Sequence, residues 1–90
     1  MRGAETNEEA MTLALGALGW IVSDMSRANR LLDLTGLTPA DLRARAGEPD
    51  VLAAVLGFLA AHEPDLIACA AAIGCTPAAL IAAHARLETE

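Results

Sequence analysis

Four residues in the second half of the chain, His62, Cys69, Cys75 and His84, carry the side chains of a zinc site. Their spacing does not suit one, because a zinc knuckle places two thiolates two to four residues apart in a single tight turn. No metal ligand set is expected. Catalysis would need a nucleophile beside a base, or paired carboxylates in a cleft. Lysine and tyrosine are absent, and the only serines, Ser23 and Ser26, flank a helix break and read as caps. The seven glycines are scattered, mostly at helix ends, so there is no phosphate-cradling loop. The expectation is a non-enzyme with no catalytic residue and no cofactor.

The basic residues are more suggestive. Arg27, Arg30, Arg43 and Arg45 are the only basic concentration, against Asp33 and Asp41 in the same stretch. They form a candidate patch for an anionic partner. The competing reading is a solvated face with local pairs such as Arg30–Asp33, which would contribute little. From Glu48 to Glu90 the single base Arg86 faces six acids, and the whole chain carries a net charge of -6. That balance argues against general binding to a phosphate backbone.

Leu32, Gly36 and Leu42 have the spacing of a helix-turn-helix, and Ala70, Gly74 and Leu80 repeat it. A DNA reader needs polar and basic side chains on its second helix. The first copy offers only Arg43 and Arg45, and the second offers Ala79, Ile81, Ala82 and Ala83. The pattern therefore reads as a packed helical hairpin, with a nucleic-acid-associated regulator as the alternative. Trp20, the sole tryptophan, is a candidate binding anchor, but core packing explains it better.

What must position these residues is a set of short helices. The 90 residues make one domain, 1–90, since two independent cores would not fit; residues 1–5 and 88–90 are expected to fray. Apolar residues make up 54% of the chain, but 21 of them are alanine and 14 leucine, which describes a helix former with a leucine core. Thr6-Asn7-Glu8-Glu9 reads as a capping box that opens a helix to about Val22. A second helix runs from about Ser26 to Thr35 and stops at Gly36, where a residue with positive φ is needed. Thr38-Pro39-Ala40-Asp41 opens a third that ends at Gly47. Pro49, Pro64 and Pro77 open three more, and Gly74 closes the fifth. No window alternates with period two, so the fold class is all-α with six helices.

The longest uncharged run, Leu66 to Ala83, has spanning length but is broken at Gly74-Cys75-Thr76-Pro77, and reads as two core helices. The acidic first residues do not resemble a secretory leader. A cytoplasmic location away from membranes is expected, with both cysteines reduced.

The chain repeats itself at an offset of 38 residues. Leu18-Gly19-Trp20 aligns with Leu56-Gly57-Phe58, and Gly36-Leu37-Thr38-Pro39-Ala40 aligns with Gly74-Cys75-Thr76-Pro77-Ala78. The repeat predicts two pseudo-symmetric three-helix units sharing one core. It also places Cys69 and Cys75 at the apolar positions of Leu31 and Leu37, so both are expected to be buried. In the first helix Met11, Ala14, Leu15, Leu18, Ile21 and Val22 fall on one wide face, the expected core face. Between the repeats, Arg30, Asp33, Asp41, Arg43 and Arg45 become Ala68, Ala71, Ala79, Ile81 and Ala83. These five uncharged residues form a candidate partner interface, with a homodimer as its simplest form.

The stretch from Leu34 to Ala46, followed by Pro49, Leu52, Val55-Leu56, Phe58-Leu59 and Glu63, resembles a family of small bacterial proteins known only as a domain of unknown function. The resemblance spans roughly Leu13 to Leu87 and implies a small helical cytoplasmic protein, with no activity or site residue. Taken together, these features predict a protein–protein interaction module that self-associates or binds one partner. Nucleic acid, membrane and metal are not among its expected partners.

Overall fold

The computed structural model describes residues 7–89. Six helices follow in order: α1 (Asn7–Val22), α2 (Met25–Thr35), α3 (Pro39–Arg45), α4 (Pro49–Ala60), α5 (Glu63–Ile73) and α6 (Pro77–Glu88). The Thr6 cap lies outside the described residues.

Local chemistry explains the boundaries. Gly36 and Gly74 close α2 and α5 at φ values of 77° and 83°, a region where a Cβ would be strained. Thr38 caps α3 in a full capping box: its hydroxyl accepts from the Asp41 amide at 3.0 Å, and the Asp41 carboxylate accepts from the Thr38 amide at 3.0 Å. Thr76 caps α6 the same way, accepting from the Ala79 amide at 3.1 Å, but Ala79 cannot return the bond. The corner between α1 and α2 is organised differently from the serine-capped break expected. Asp24, not Ser23 or Ser26, is the N-cap of α2, accepting from the amides of Ser26 and Arg27. A carboxylate there also meets the positive end of the helix dipole. Ser23 instead donates to the carbonyl of Trp20 at the end of α1.

The core lies between α1, α4 and α6. Helix α6 packs along both α1 and α4, and those two also pack on each other. From α4 come Val51, Leu52, Val55, Leu56, Phe58 and Leu59, and from α6 Leu80, Ala83 and Leu87. The buried face of α1 differs from the one expected. Ala10, Ala14, Ala17, Leu18 and Ile21 are buried, whereas Leu15 and Val22 are nearly half exposed. The alanine stripe wins because small side chains let α6 and α4 approach closely, which gains more contacts than a leucine facing a wider gap.

Helix α1 and α4 are central, as the repeat suggested, but the packing is not equivalent in the two halves. Helix α6 sits in the core, whereas its counterpart α3 has no buried residue and packs only lightly on the rest of the molecule. The uncharged run from Leu66 to Ala83 is divided between α5 and α6. Among the described residues, no single helix is long and apolar enough to cross a membrane.

Candidate functional site

The four arginines do not assemble into one patch. Arg27 turns inward at the α1–α2 corner, its guanidinium stacked 3.7 Å from the Trp20 ring centroid. It donates to the Trp20 carbonyl at 2.9 Å and lies 3.5 Å from the Asp24 carboxylate. It shares that carbonyl, at the end of α1, with the Ser23 hydroxyl and amide. The amides of Arg27 and Ser26 hold the Asp24 carboxyl below its ordinary pKa, although partial desolvation works against them. Trp20 is half-buried against the core, so it is a packing residue with one face taken by Arg27.

Arg30 does not pair with Asp33. Its guanidinium lies 3.0 Å from the Asp65 carboxylate and 5.8 Å from the Phe58 ring centroid, tying α2 to α5. Asp65, at the start of α5, also lies 3.1 Å from His62. Arg45 spans the α3–α4 junction, 2.9 Å from Glu48 and 3.2 Å from Asp50. The hydrogen bond and charge of Glu48 raise its pKa further. Arg43 is the exception: it is exposed and has no ion pair or hydrogen bond among the described residues.

Arg43 stands on the rim of a groove of about 440 Å³ formed by α1, α2 and α3. Leu18 and Val22 supply the α1 wall, Ala28 and Leu32 the α2 wall, and Pro39 and Leu42 the α3 wall. Asn29 is the other polar group in the lining. Leu15, one turn before Leu18 on the same face of α1, is exposed and extends the apolar track, while Met25 is 79% exposed at the start of α2. The spacing from Leu15 to Val22 amounts to about 10 Å of helix, two turns. Sequence reasoning missed this site. It read Leu15 and Val22 as core, and only their exposure beside Leu32 and Leu42 reveals the groove.

A second hollow of about 540 Å³ lies between the start of α4 and the end of α6, lined by Pro49, Asp50, Ala53, Leu87 and Glu88. Its two carboxylates are already engaged, Asp50 by Arg45 and Glu88 by His84 at 3.2 Å. It therefore offers a ligand less than the α1–α2–α3 groove, despite its larger volume.

The candidate interface on α5 and α6 is only partly on the surface. Ala68, Ala71 and Ile81 are exposed and Ala79 is half-buried, but Ala83 is 1% exposed and belongs to the core. Ala83 lies three residues after Leu80 and four before Leu87, which puts all three on the inward face of α6. Cys69 is fully buried, and desolvation, with a smaller contribution from Cys75, pushes its thiol up to about 11. Cys75 is half-buried rather than buried, because it sits in the turn after Gly74. It matches Leu37, which is also half-buried in the equivalent turn. His62, at the N-cap of α5, faces Asp65, and His84 lies on α6, so the four candidate zinc ligands do not converge. Among the described residues, no three His, Cys, Asp or Glu side chains gather as metal ligands would.

One comparison with known proteins bears on this arrangement. The model of a family described as "Protein of unknown function (DUF3572)" matches residues 7–90, nearly the entire chain. The chain belongs to the DUF3572 family. No curated protein and no solved structure matches it. The DUF3572 assignment agrees with the resemblance read from Leu34 to Glu63 and brings no activity with it, so function must be argued from the groove.

Proposed function

We propose that this DUF3572 protein is a non-catalytic protein-interaction module and that the groove between α1, α2 and α3 receives its partner. The observation that carries the reading is an apolar groove, open to solvent, whose rim holds an arginine with no partner among the described residues. Apolar floors with a few polar rim groups are the usual anatomy of binding surfaces. The acidic chain and the commitment of Arg45 to Glu48 and Asp50 weigh against the nucleic-acid reading, since Arg43 is then the one arginine of α3 without a partner among the described residues.

The test is site-specific photo-cross-linking in the cells that make the protein. A cross-linking residue at Val22, on the groove wall, is expected to give a discrete protein adduct. The same residue at Ala85, exposed on α6, is expected to give none. Identical adducts from both positions, or none from either, would count against the groove.

A further inference from the structure

The groove has a closed counterpart in the same chain. At the offset of 38 residues, Leu18, Ala28, Leu32 and Leu42 correspond to Leu56, Leu66, Ala70 and Leu80. All four counterparts are buried, whereas Ala28, Leu32 and Leu42 are half-buried and line the open groove with Leu18. What closes the second half is a helix: α1 packs along α4, α5 and α6. Its buried face is the stripe Ala10, Ala14, Ala17 and Ile21, and a Cβ added at Gly16 would lie 3.7 Å from Ile73 of α5. In the first half α4 packs on α1 and α2 but hardly on α3, which is left without a buried residue.

Two rim positions also differ between the halves. Ile67 and Ile81 in the closed half become Asn29 and Arg43 in the open one. An amide and a guanidinium stand at the edge of the unfilled groove where the other half has isoleucines. A guest that covered Arg43 without offering an acceptor would leave a charge desolvated and unpaired, which is costly; a carboxylate would give it a charge-assisted bond.

From this comparison we infer that the groove takes an amphipathic helix of another protein that carries a carboxylate on its flank, seated much as α1 is seated on α4, α5 and α6. Small and aliphatic side chains of the guest lie on Leu18, Leu32 and Leu42, and a carboxylate on its flank meets Arg43. This inference rests on the reading of the groove as the interaction site and adds the chemistry of its occupant. A second copy is a distinguishable rival. If it offered the outer face of its own α5, with Ile67, Ala68 and Ala71, its groove would stay free for the next copy. Such a contact builds open chains rather than a closed dimer.

The experiment titrates the protein, by fluorescence anisotropy, into a labelled, side-chain-cross-linked helical peptide of about 15 residues, near the length at which isolated helices become marginal. The peptide carries alanine and leucine on one face and a single glutamate scanned along its flank, with glutamine and lysine versions for comparison. Saturable binding by a glutamate version is expected. Arg43→Glu should weaken it roughly tenfold and make the lysine version the better ligand, while Arg43→Gln should remove the preference among the three. Val22→Asp, at an exposed wall position, should abolish binding of every version, with circular dichroism checking the fold of each variant.

Equal binding of the three versions, unaffected by Arg43→Glu but lost with Val22→Asp, would overturn the flanking carboxylate and leave the groove reading standing. Binding that survives Val22→Asp, or no binding by any version, would overturn the helical occupant. Cross-linking at Val22 would then judge the groove independently. Concentration-dependent growth of the wild type in sedimentation, abolished by Arg43→Glu, would assign the groove to a second copy and overturn the proposal as well.

Discussion

Helices α3 and α6 begin alike and end up in different places. Each follows a glycine with positive φ, each is capped by a threonine that accepts from the third amide of the helix, and each has proline at its first position. Their leucines correspond, Leu42 with Leu80. Yet α6 runs for 12 residues through the core and α3 stops after seven at its edge. The divergence begins after the shared leucine. Helix α6 continues Ile81-Ala82-Ala83-His84 and keeps a small residue facing inward at Ala83. Helix α3 continues Arg43-Ala44-Arg45 and meets Gly47 and Pro49. Arg45, at the position of Ala83, could not enter an apolar core unpaired; it turns instead to Glu48 and Asp50. A cap starts a helix, but the side chains of its second turn decide which layer it joins.

The largest difference expected between the two helices is in stability. Leu80→Ala should cost about 2–5 kcal/mol in urea unfolding, the range for a buried leucine truncated in a close-packed core. Leu42→Ala should cost about 1 kcal/mol or less, because its side chain is half-buried at the groove. Equal losses would mean that α3 is held as firmly as α6 and that the open-groove description is wrong.

A smaller contrast separates the paired glycines, Gly19 and Gly57. A Cβ at Gly19 would meet nothing within 4 Å, so Gly19→Ala should stabilise the protein by about 0.5–1 kcal/mol through helix propensity alone. A Cβ at Gly57 would lie 3.2 Å from His84 Nε2 on α6. Gly57→Ala should therefore lose that gain or destabilise. Adding His84→Ala should restore part of the gain if the close approach of α6 to α4 is the cause. A double-mutant cycle on thermal unfolding measures it.

The smallest effect sharpens the comparison of the caps. The Thr38 amide and hydroxyl hold Asp41 below its ordinary value of 3.8. A carboxyl with a lowered folded pKa supports the fold above its unfolded value, and the support fades as pH drops through the lowered one. The first turn of α3 should therefore loosen as pH falls below about 4, while the first turn of α6, with Ala79 in place of the acid, should not respond for this reason. Amide chemical shifts of Thr38 and Ala79 across an acid titration give the readout. Parallel shifts at both would remove the asymmetry, and Asp41→Asn should abolish the response at Thr38.

Much of the architecture was legible in the sequence because helix boundaries are set within one turn. Thr38, Thr76, Gly36, Gly74 and the four prolines act on amides and carbonyls no more than five residues away, so reading them in order located all six helices. Leu31 and Cys69, aligned at the offset of 38 residues, are both fully buried. What the sequence left open was decided by which surfaces meet. Helix α1 has one wide apolar arc, with an alanine face at one edge and Leu15 and Val22 at the other, and helical periodicity cannot say which part of it is buried. The tertiary fold chose the alanine face, because α6 and α4 can approach it closely, and left the other as the wall of a groove. Arg30 has an acid three residues away, yet Asp65 takes it, since the folded chain brings that carboxylate within 3.0 Å. Local hydrogen bonding drew the helices, and close packing of small side chains determined which half of the repeat was closed and which was left open.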